Sequence, residues 1–240
     1  MPRLHVGLPA LVGDIAKYHP RFDLLEVRPV DASVPRAPAL RRWRKAVPPA
    51  FVFSVVLPRA VGALTPGAAL DEALAESLEV AAALEARCLL LQTPADVRPT
   101  SVNKRRVVAL FERVPREGNV VCWEPSGMWE REDVLATARE AGVVAVLDAA
   151  RDVPPPGAVV YTRLRALGKG AALGAASIER VAERLKKRRE AFVVVESSRD
   201  GQRVRAALTA AMAERRDRPS LGSVVRPTGA GTLVAEDEEQ

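Results

Sequence analysis

Short apolar runs alternate with segments of helical periodicity along most of the chain. Eight of these runs have the length and continuity of strands that are buried on both faces of a parallel sheet. They are Leu4–Leu8, Phe22–Arg28, Phe51–Leu57, Arg87–Gln92, Asn119–Glu124, Val143–Asp148, Ala158–Arg163 and Phe192–Glu196. In most of the intervening segments, apolar residues recur every three or four positions, which predicts amphipathic helices.

This alternation predicts an α/β fold, a closed (β/α)8 barrel of the TIM type, in a single domain at residues 1–215. An open, doubly wound sheet is the alternative. It would need a phosphate-binding glycine fingerprint after its first strand, and Gly7 followed by Gly13 does not form one. The unit after strand six is predicted to be irregular, because Pro154–Gly157 leaves no room for a full crossover helix.

Residues 216–240 have no periodic apolar face, and they end in the acidic run Glu236–Glu239. Such a segment buries too little apolar surface to offset the entropy lost on ordering it. We therefore expect a disordered tail. Limited proteolysis is expected to remove Pro219–Gln240 without changing the melting temperature, and strong protection from hydrogen exchange there would contradict this expectation.

The composition bears on partners and location. A net charge of +6 attracts anions, although arginine on helix faces can also serve solubility alone. Cys88 and Cys122 both lie in predicted strands without metal-ligand spacing, so we expect a reduced, cytoplasmic protein. No apolar run reaches the length of a membrane span, and the first residues lack a signal-peptide core.

Nearly every predicted strand ends in a polar residue. Because the carboxyl ends of barrel strands meet at one rim, where TIM-barrel enzymes hold their active sites, we expect these side chains to share that rim. They are Glu26, Gln92, Glu124, Asp148, Arg163 and Glu196. The segment Val120–Trp129 starts as a buried strand and ends in an acid and a proline turn, so Glu124 is the anchor of the predicted site.

Side chains alternate between the two faces of a strand. Cys122 and Glu124 therefore share one face of their strand, and Tyr161 and Arg163 share one face of theirs. If both pairs point inward, Glu124 and Arg163 contact each other or one shared ligand. An arginine beside a carboxylate favours its ionised form, which suits a structural pair or a ligand clamp better than a general acid. Alternatively, Glu124 with Asp148 and Glu196 resembles the two-carboxylate arrangement of a glycoside hydrolase.

The glycine-rich loop Gly168–Gly174 follows strand seven, where TIM barrels often bind phosphate. Arg163, Arg165 and Lys169 supply positive charge at this loop, although the loop can also be one that merely tolerates glycine. The two histidines, His5 and His19, cannot build a histidine-rich metal centre. We expect no metal and no cofactor, with a carboxylate-bound magnesium as the open alternative.

Several motifs occur in a characteristic order along Leu4 to Ala210. They are Gly7, Glu26, Trp43 ahead of Pro48-Pro49, Phe51-Val52-Phe53, Pro58-Arg59, Leu91-Gln92-Thr93-Pro94, Trp123-Glu124-Pro125 with Trp129, and Tyr161-Thr162-Arg163-Leu164. In this order they resemble the YecE-like family, domain of unknown function 72. The resemblance implies a TIM-type barrel whose biochemical role is not established. Where the family has a lysine, an arginine and a histidine, this chain has Val56, Ser126 and Arg165, which implies a rewritten polar site.

Three functional hypotheses remain open from the sequence. In the first, the barrel binds a small anionic, perhaps phosphorylated, ligand through Gln92, Glu124, Arg163, Arg165 and Lys169. Any catalysis is then assigned to candidates on the same rim, namely Glu124, Arg163, Asp148 and Glu196. In the second, a non-catalytic barrel contacts an acidic partner or nucleic acid through the basic helix Ile178–Arg188, although no aromatic stacking platform is visible. The third is the glycoside-hydrolase-like enzyme; the sequence does not determine the oligomeric state.

Overall fold

Eight parallel strands alternate with helices around a nearly closed barrel. The computed structural model describes residues 3–29, 36–165 and 173–213. The strands are β1 Arg3–Leu8, β2 Leu24–Val27, β3 Val52–Leu57, β4 Cys88–Thr93, β5 Val120–Pro125, β6 Val144–Ala145, β7 Val159–Leu164 and β8 Glu190–Val195. The helices are α1 Ile15–Tyr18, α2 Ala37–Lys45, α3 Arg59–Gly62, α4 Ala68–Leu84, α5 Ser101–Glu112, α6 Arg131–Glu140, α7 Ala175–Leu185 and α8 Gly201–Ala213.

The strands pair in the order β6-β5-β4-β3-β2-β1-β8-β7, and every pairing is parallel. A single parallel bridge between Leu147 and Thr162 joins the two end strands. The Thr162 hydroxyl also donates to the Leu147 carbonyl at 2.7 Å and accepts from the Ala149 amide at 2.8 Å. The predicted (β/α)8 barrel is therefore confirmed, with its weakest seam between β6 and β7.

The apolar side chains form two layers, one inside the barrel and one between the barrel and its helices. The inner layer consists of Leu24, Val52, Val56, Cys88, Leu90, Val120, Cys122, Val146, Tyr161, Phe192 and Val194. These residues recur at every second position of their strands, as side chains that point to one face must. A barrel filled in this way is a packed core, which places any ligand site at one of its open ends.

Close packing of the first two strands depends on Gly7. A Cβ atom on this residue would lie 1.8 Å from the carbonyl oxygen of Leu24, which is its register partner on β2. Glycine therefore permits an approach that no side chain allows.

The unit after strand six departs furthest from the pattern of the other units. Val143–Asp148 was predicted as a full strand, but the β6 ladder covers Val144–Ala145 alone, and no helix lies between it and β7. Arginines from the next helical unit hold this connection instead. Arg184 donates to the carbonyls of Ala149 and Asp152, and Arg188 donates to those of Pro154 and Gly157.

Two further findings complete the fold. Within the three described ranges, no helix is long and apolar enough to cross a membrane. The predicted tail, residues 216–240, lies outside the described residues, as do Lys169 and most of the loop Gly168–Gly174.

Candidate functional site

Arg163, at the carboxyl end of β7, is the centre of a buried polar network. Its side chain is 2% exposed. Its Nη2 donates to Oε1 of Glu26 at 2.6 Å, and its Nε donates to Oε2 of Glu124 at 3.0 Å. Burial disfavours the charged guanidinium, but the two carboxylates outweigh burial and raise the pKa of Arg163. The predicted contact between Glu124 and Arg163 is thus confirmed.

Glu124 has both of its carboxylate oxygens engaged by other side chains. Oε2 accepts from Gln92 Nε2 at 2.7 Å as well as from Arg163, and Oε1 accepts from Nη2 of Arg165. Gln92 is oriented in turn, since its Oε1 accepts from Nη1 of Arg28 at 2.9 Å. This arrangement suits a residue that fixes its neighbours, and it leaves Glu124 without a free oxygen toward the rim.

Glu26, on β2, lies deepest in the network. Its Oε1 accepts from the Tyr161 hydroxyl at 2.6 Å, and that hydroxyl lies 3.0 Å from Ser54 Oγ. Burial raises the pKa of Glu26, and the Arg163 guanidinium and the Tyr161 hydroxyl offset part of this rise. Oε2 of Glu26 has no hydrogen-bond partner among the described residues, and Nη2 of Arg28 lies 3.9 Å from it.

The outer part of the rim carries further ion pairs. Nε of Arg165 lies 3.3 Å from Oε1 of Glu196, and Nε of Arg163 lies 3.6 Å from the same oxygen. Asp148 accepts from the backbone amides of Ala150 at 2.9 Å and Arg165 at 3.3 Å. The six predicted strand-end residues therefore share one rim, as expected.

Positive and negative charges balance in this network. Three guanidinium groups, from Arg28, Arg163 and Arg165, face three carboxyl groups, from Glu26, Glu124 and Glu196. The buried network therefore carries little net charge to attract a ligand.

A cavity lies beside the network and shares Arg28 and Gln92 with it. It has a volume of about 340 Å³ and lies over the carboxyl ends of β2 to β5. Its polar lining comes from Arg28, Arg59, Gln92, Thr93 and Ser126, and its apolar lining from Val56, Leu57, Pro58 and Pro94. No carboxylate is among these described lining residues, so two guanidinium groups set the charge of the cavity.

The two arginines of the cavity are accessible to different degrees. The Arg59 side chain is 74% exposed and pairs with the equally open Asp96 at 3.0 Å, a contact that solvent weakens. The Arg28 side chain is 34% exposed, and Gln92 holds it in place. Arg28 is therefore the cation that its neighbours hold in place, and Arg59 is the solvent-exposed one.

Sequence reasoning identified the network better than the cavity. Arg28, Arg59 and Ser126 were not among the predicted ligand-binding residues. A signal existed for two of them: Arg28 follows Glu26 by two positions and Ser126 follows Glu124 by two, so each continues the inward face of its strand. Arg59 lies on a connection, and its position depends on the path of the chain after β3.

Among the residues that the structure describes, no group of three or more histidine, cysteine, aspartate or glutamate side chains is placed to hold a metal ion. His5 lies at the opposite end of the barrel from the cavity. There it stacks on Phe192 with ring centres 5.1 Å apart, and its Nε2 lies 3.4 Å from Glu190.

The comparison with protein families decides the identity of the chain. The model named "Protein of unknown function DUF72" matches residues 7–227. The chain belongs to this family. No curated protein matches the DUF72 chain significantly.

Solved structures agree with the family assignment. A DUF72 protein from Enterococcus faecalis is 16% identical, with a TM-score of 0.69 over 89% of this chain and 98% of that one. A DUF72 protein from Thermotoga maritima is 17% identical, with a TM-score of 0.63 over 88% and 99%. A D-psicose 3-epimerase crystallised in the presence of D-fructose is 15% identical, with a TM-score of 0.54 over 84% and 91%. At these identities the likeness shows the fold alone.

Proposed function

We propose that this DUF72 barrel binds a small anionic ligand at its C-terminal rim, in the cavity between Arg28 and Arg59. The observation that carries the proposal is the charge of that cavity. Two guanidinium groups are among its described lining residues and no carboxylate is, and the one of Arg28 also lies 3.9 Å from the buried Glu26. Guanidinium groups bind planar and tetrahedral oxyanions through paired N–H donors.

Phosphate esters are the class of anion that fits this cavity best. A volume of about 340 Å³ falls in the range of small-molecule sites. Thr93 and Ser126 contribute hydroxyl groups to the lining, and Val56 with Pro94 contributes an apolar wall. Among proteins of similar fold are a D-psicose 3-epimerase and an L-ribulose 3-epimerase, whose names concern sugars. Sugar phosphates are therefore the first compounds to test.

Catalysis is not part of this proposal. The candidates Glu124, Arg163, Asp148 and Glu196 contact one another or nearby backbone, and none of them lines the cavity. A two-carboxylate glycosidase also has less support, because its general acid must face the substrate with a raised pKa. Glu26 has the raised pKa, but it is fully buried behind Arg28.

Binding of nucleic acid or an acidic partner through Ile178–Arg188 has less support as well. Arg184 and Arg188 donate to backbone carbonyls of the β6–β7 connection. Arg180 donates to Ser177 on its own helix at 3.0 Å. Arg184 and Arg188 therefore have a structural role within the barrel, and Arg180 is bonded within its own helix.

A thermal-shift screen with inorganic phosphate, nucleotides, neutral sugars and sugar phosphates tests the proposal. A ligand at 100 times its Kd stabilises a protein by about 2.7 kcal/mol. We expect a phosphorylated compound to raise the Tm of the wild type, and Arg28→Met and Arg59→Met to reduce that rise. Arg42→Met is the matched control. Arg42 is exposed in the last turn of α2, so this substitution removes the same charge at a position away from the cavity.

Three results would change the assignment. An equal Tm rise in wild type and Arg28→Met would place the anion elsewhere. A lack of stabilisation by every anion, together with salt-sensitive binding of oligonucleotides, would favour the partner-binding alternative. Stabilisation by a neutral sugar that depends on Glu124 and Glu196 would favour the glycosidase.

A further inference from the structure

One oxygen of the buried Glu26 carboxyl group depends on Arg28 for its charge compensation. Oε1 accepts two hydrogen bonds of 2.6 Å, from Tyr161 and Arg163. Oε2 accepts none from the described residues, and the cation beside it is Nη2 of Arg28 at 3.9 Å. The Glu26 side chain has no exposed surface.

Arg28 has contacts in two directions. It lines the cavity over β2 to β5, and its side chain is one third exposed there. The same guanidinium approaches Glu26 and donates to Gln92. An anion in the cavity therefore binds the group that compensates the buried carboxylate.

The other groups around Glu26 supply little further positive charge. Arg163 is shared between Glu26 and Glu124, and Arg165 contacts only Glu124 of these two carboxylates in the described structure. The remaining titratable groups that face Glu26 are uncharged, because burial raises the pKa of each, and β3 contributes the non-titrating Ser54. They are Tyr161 on β7, Cys88 on β4, Cys122 on β5 and Tyr18 on α1.

On the basis of the anion pocket proposed above, we propose that anion binding at Arg28 is coupled to the uptake of one proton by Glu26. The bound anion takes up the charge of Arg28, which leaves Arg163 as the cation shared by two buried carboxylates. A proton from solvent then converts the Glu26 carboxylate to the neutral acid at Oε2. The proton compensates for one negative charge of the anion.

The pH dependence follows from this linkage. Burial already raises the pKa of Glu26, and loss of the compensation from Arg28 acts in the same direction. Because the complex holds one more proton than its free components, affinity for the anion rises as pH falls. The rise is at most about tenfold per pH unit.

Calorimetric titration with inorganic sulfate tests the coupling, since the charge of sulfate does not change in mildly acidic solution. The titration is run in two buffers of similar pKa and different ionisation enthalpy, so that proton uptake appears as a buffer-dependent binding enthalpy. We expect uptake by the wild type and none by Glu26→Gln. The amide of that variant keeps an oxygen that accepts from Tyr161 and Arg163.

Each outcome decides a separate point. Sulfate binding by the wild type with a buffer-independent enthalpy overturns the coupling and leaves the pocket in place. A lack of binding by both sulfate and phosphate overturns the pocket and the coupling together. If Glu26→Gln does not fold, Tyr161→Phe replaces it. The Tyr161 hydroxyl lowers the pKa of Glu26, so its removal must shift proton uptake to higher pH. An unshifted pH profile of proton uptake overturns the proposal.

Discussion

Replacement of Arg163 by methionine is the sharpest test of the buried network. Methionine is unbranched and apolar, so it fills much of the space of the arginine stem without its charge. The change removes hydrogen bonds of 2.6 Å to Glu26 and 3.0 Å to Glu124, at a side chain that is 2% exposed. The buried carboxyl groups of Glu26 and Glu124 then lose the positive charge and the hydrogen bonds that Arg163 supplies.

The expected loss follows from the surroundings that remain. Removal of one partner of a buried ion pair costs roughly 3–5 kcal/mol of the free energy of unfolding. Glu124 keeps Gln92 and Arg165, while Glu26 keeps Tyr161 and the distant Arg28. We therefore expect about 3 kcal/mol, the lower end of this range.

The loss is also expected to depend on pH. Burial raises the pKa of Glu26 above its ordinary value of 4.5, and the loss of Arg163 removes a charge that lowers it. The folded variant therefore binds the proton more tightly than the unfolded chain. Its stability is greatest at low pH and is lost as pH rises through the folded pKa, so the deficit relative to wild type should shrink under acidic conditions.

Urea denaturation at neutral and mildly acidic pH, followed by circular dichroism and tryptophan fluorescence, measures both effects. Arg151→Met is the matched control: Arg151 is half exposed, lies 3.7 Å from Asp148, and should cost at most about 1 kcal/mol. A loss for Arg163→Met as small as that of the control would show that the buried carboxyl groups do not depend on Arg163. A large loss that does not change with pH would contradict the raised pKa of Glu26 in the variant.

Three further predictions concern other parts of the barrel. Burial lowers the pKa of His5 below its ordinary value of 6.5, so the unfolded chain takes up a proton at higher pH than the folded chain does, and stability falls as pH drops. His5→Gln should flatten this part of the curve of unfolding free energy against pH. An unchanged curve would contradict this effect of His5. Gly7→Ala should cost about 3 kcal/mol or more in urea denaturation, because its Cβ would meet the carbonyl oxygen of Leu24; a stability equal to wild type would show that the two strands can separate. Arg184→Ala should speed hydrogen exchange in the β6–β7 connection, where its guanidinium holds two carbonyl groups, whereas Arg180→Ala should leave that exchange unchanged.

The barrel could be predicted from the sequence because its strands are buried on both faces. Runs such as Phe51–Leu57 and Arg87–Gln92 contain little but apolar residues, and this pattern is typical of parallel strands under helices. The same pattern predicted a sixth strand that is longer than the one in the structure. Val143–Asp148 is apolar enough for a strand, but hydrophobicity does not report whether a backbone ladder continues, and pairing with β5 covers two residues.

The network could be predicted because side chains alternate strictly between the two faces of a strand. Once Cys122 points into the barrel, Glu124 must do so too, and the same holds for Tyr161 and Arg163. The cavity could not be predicted in this way. Arg59 comes from a connection after β3, and the position of a side chain on a connection depends on tertiary contacts that no local period encodes.

Anomalous diffraction from crystals soaked in selenate locates an anion in the cavity directly, because selenate is a tetrahedral oxyanion with a heavy scatterer at its centre. We predict a selenium peak in the cavity, with oxygens within hydrogen-bond distance of the guanidinium groups of Arg28 and Arg59. The peak should be absent in Arg28→Met crystals and present in Arg42→Met crystals. Selenate bound only at other surfaces of the wild type, with this cavity free of it, would contradict this prediction.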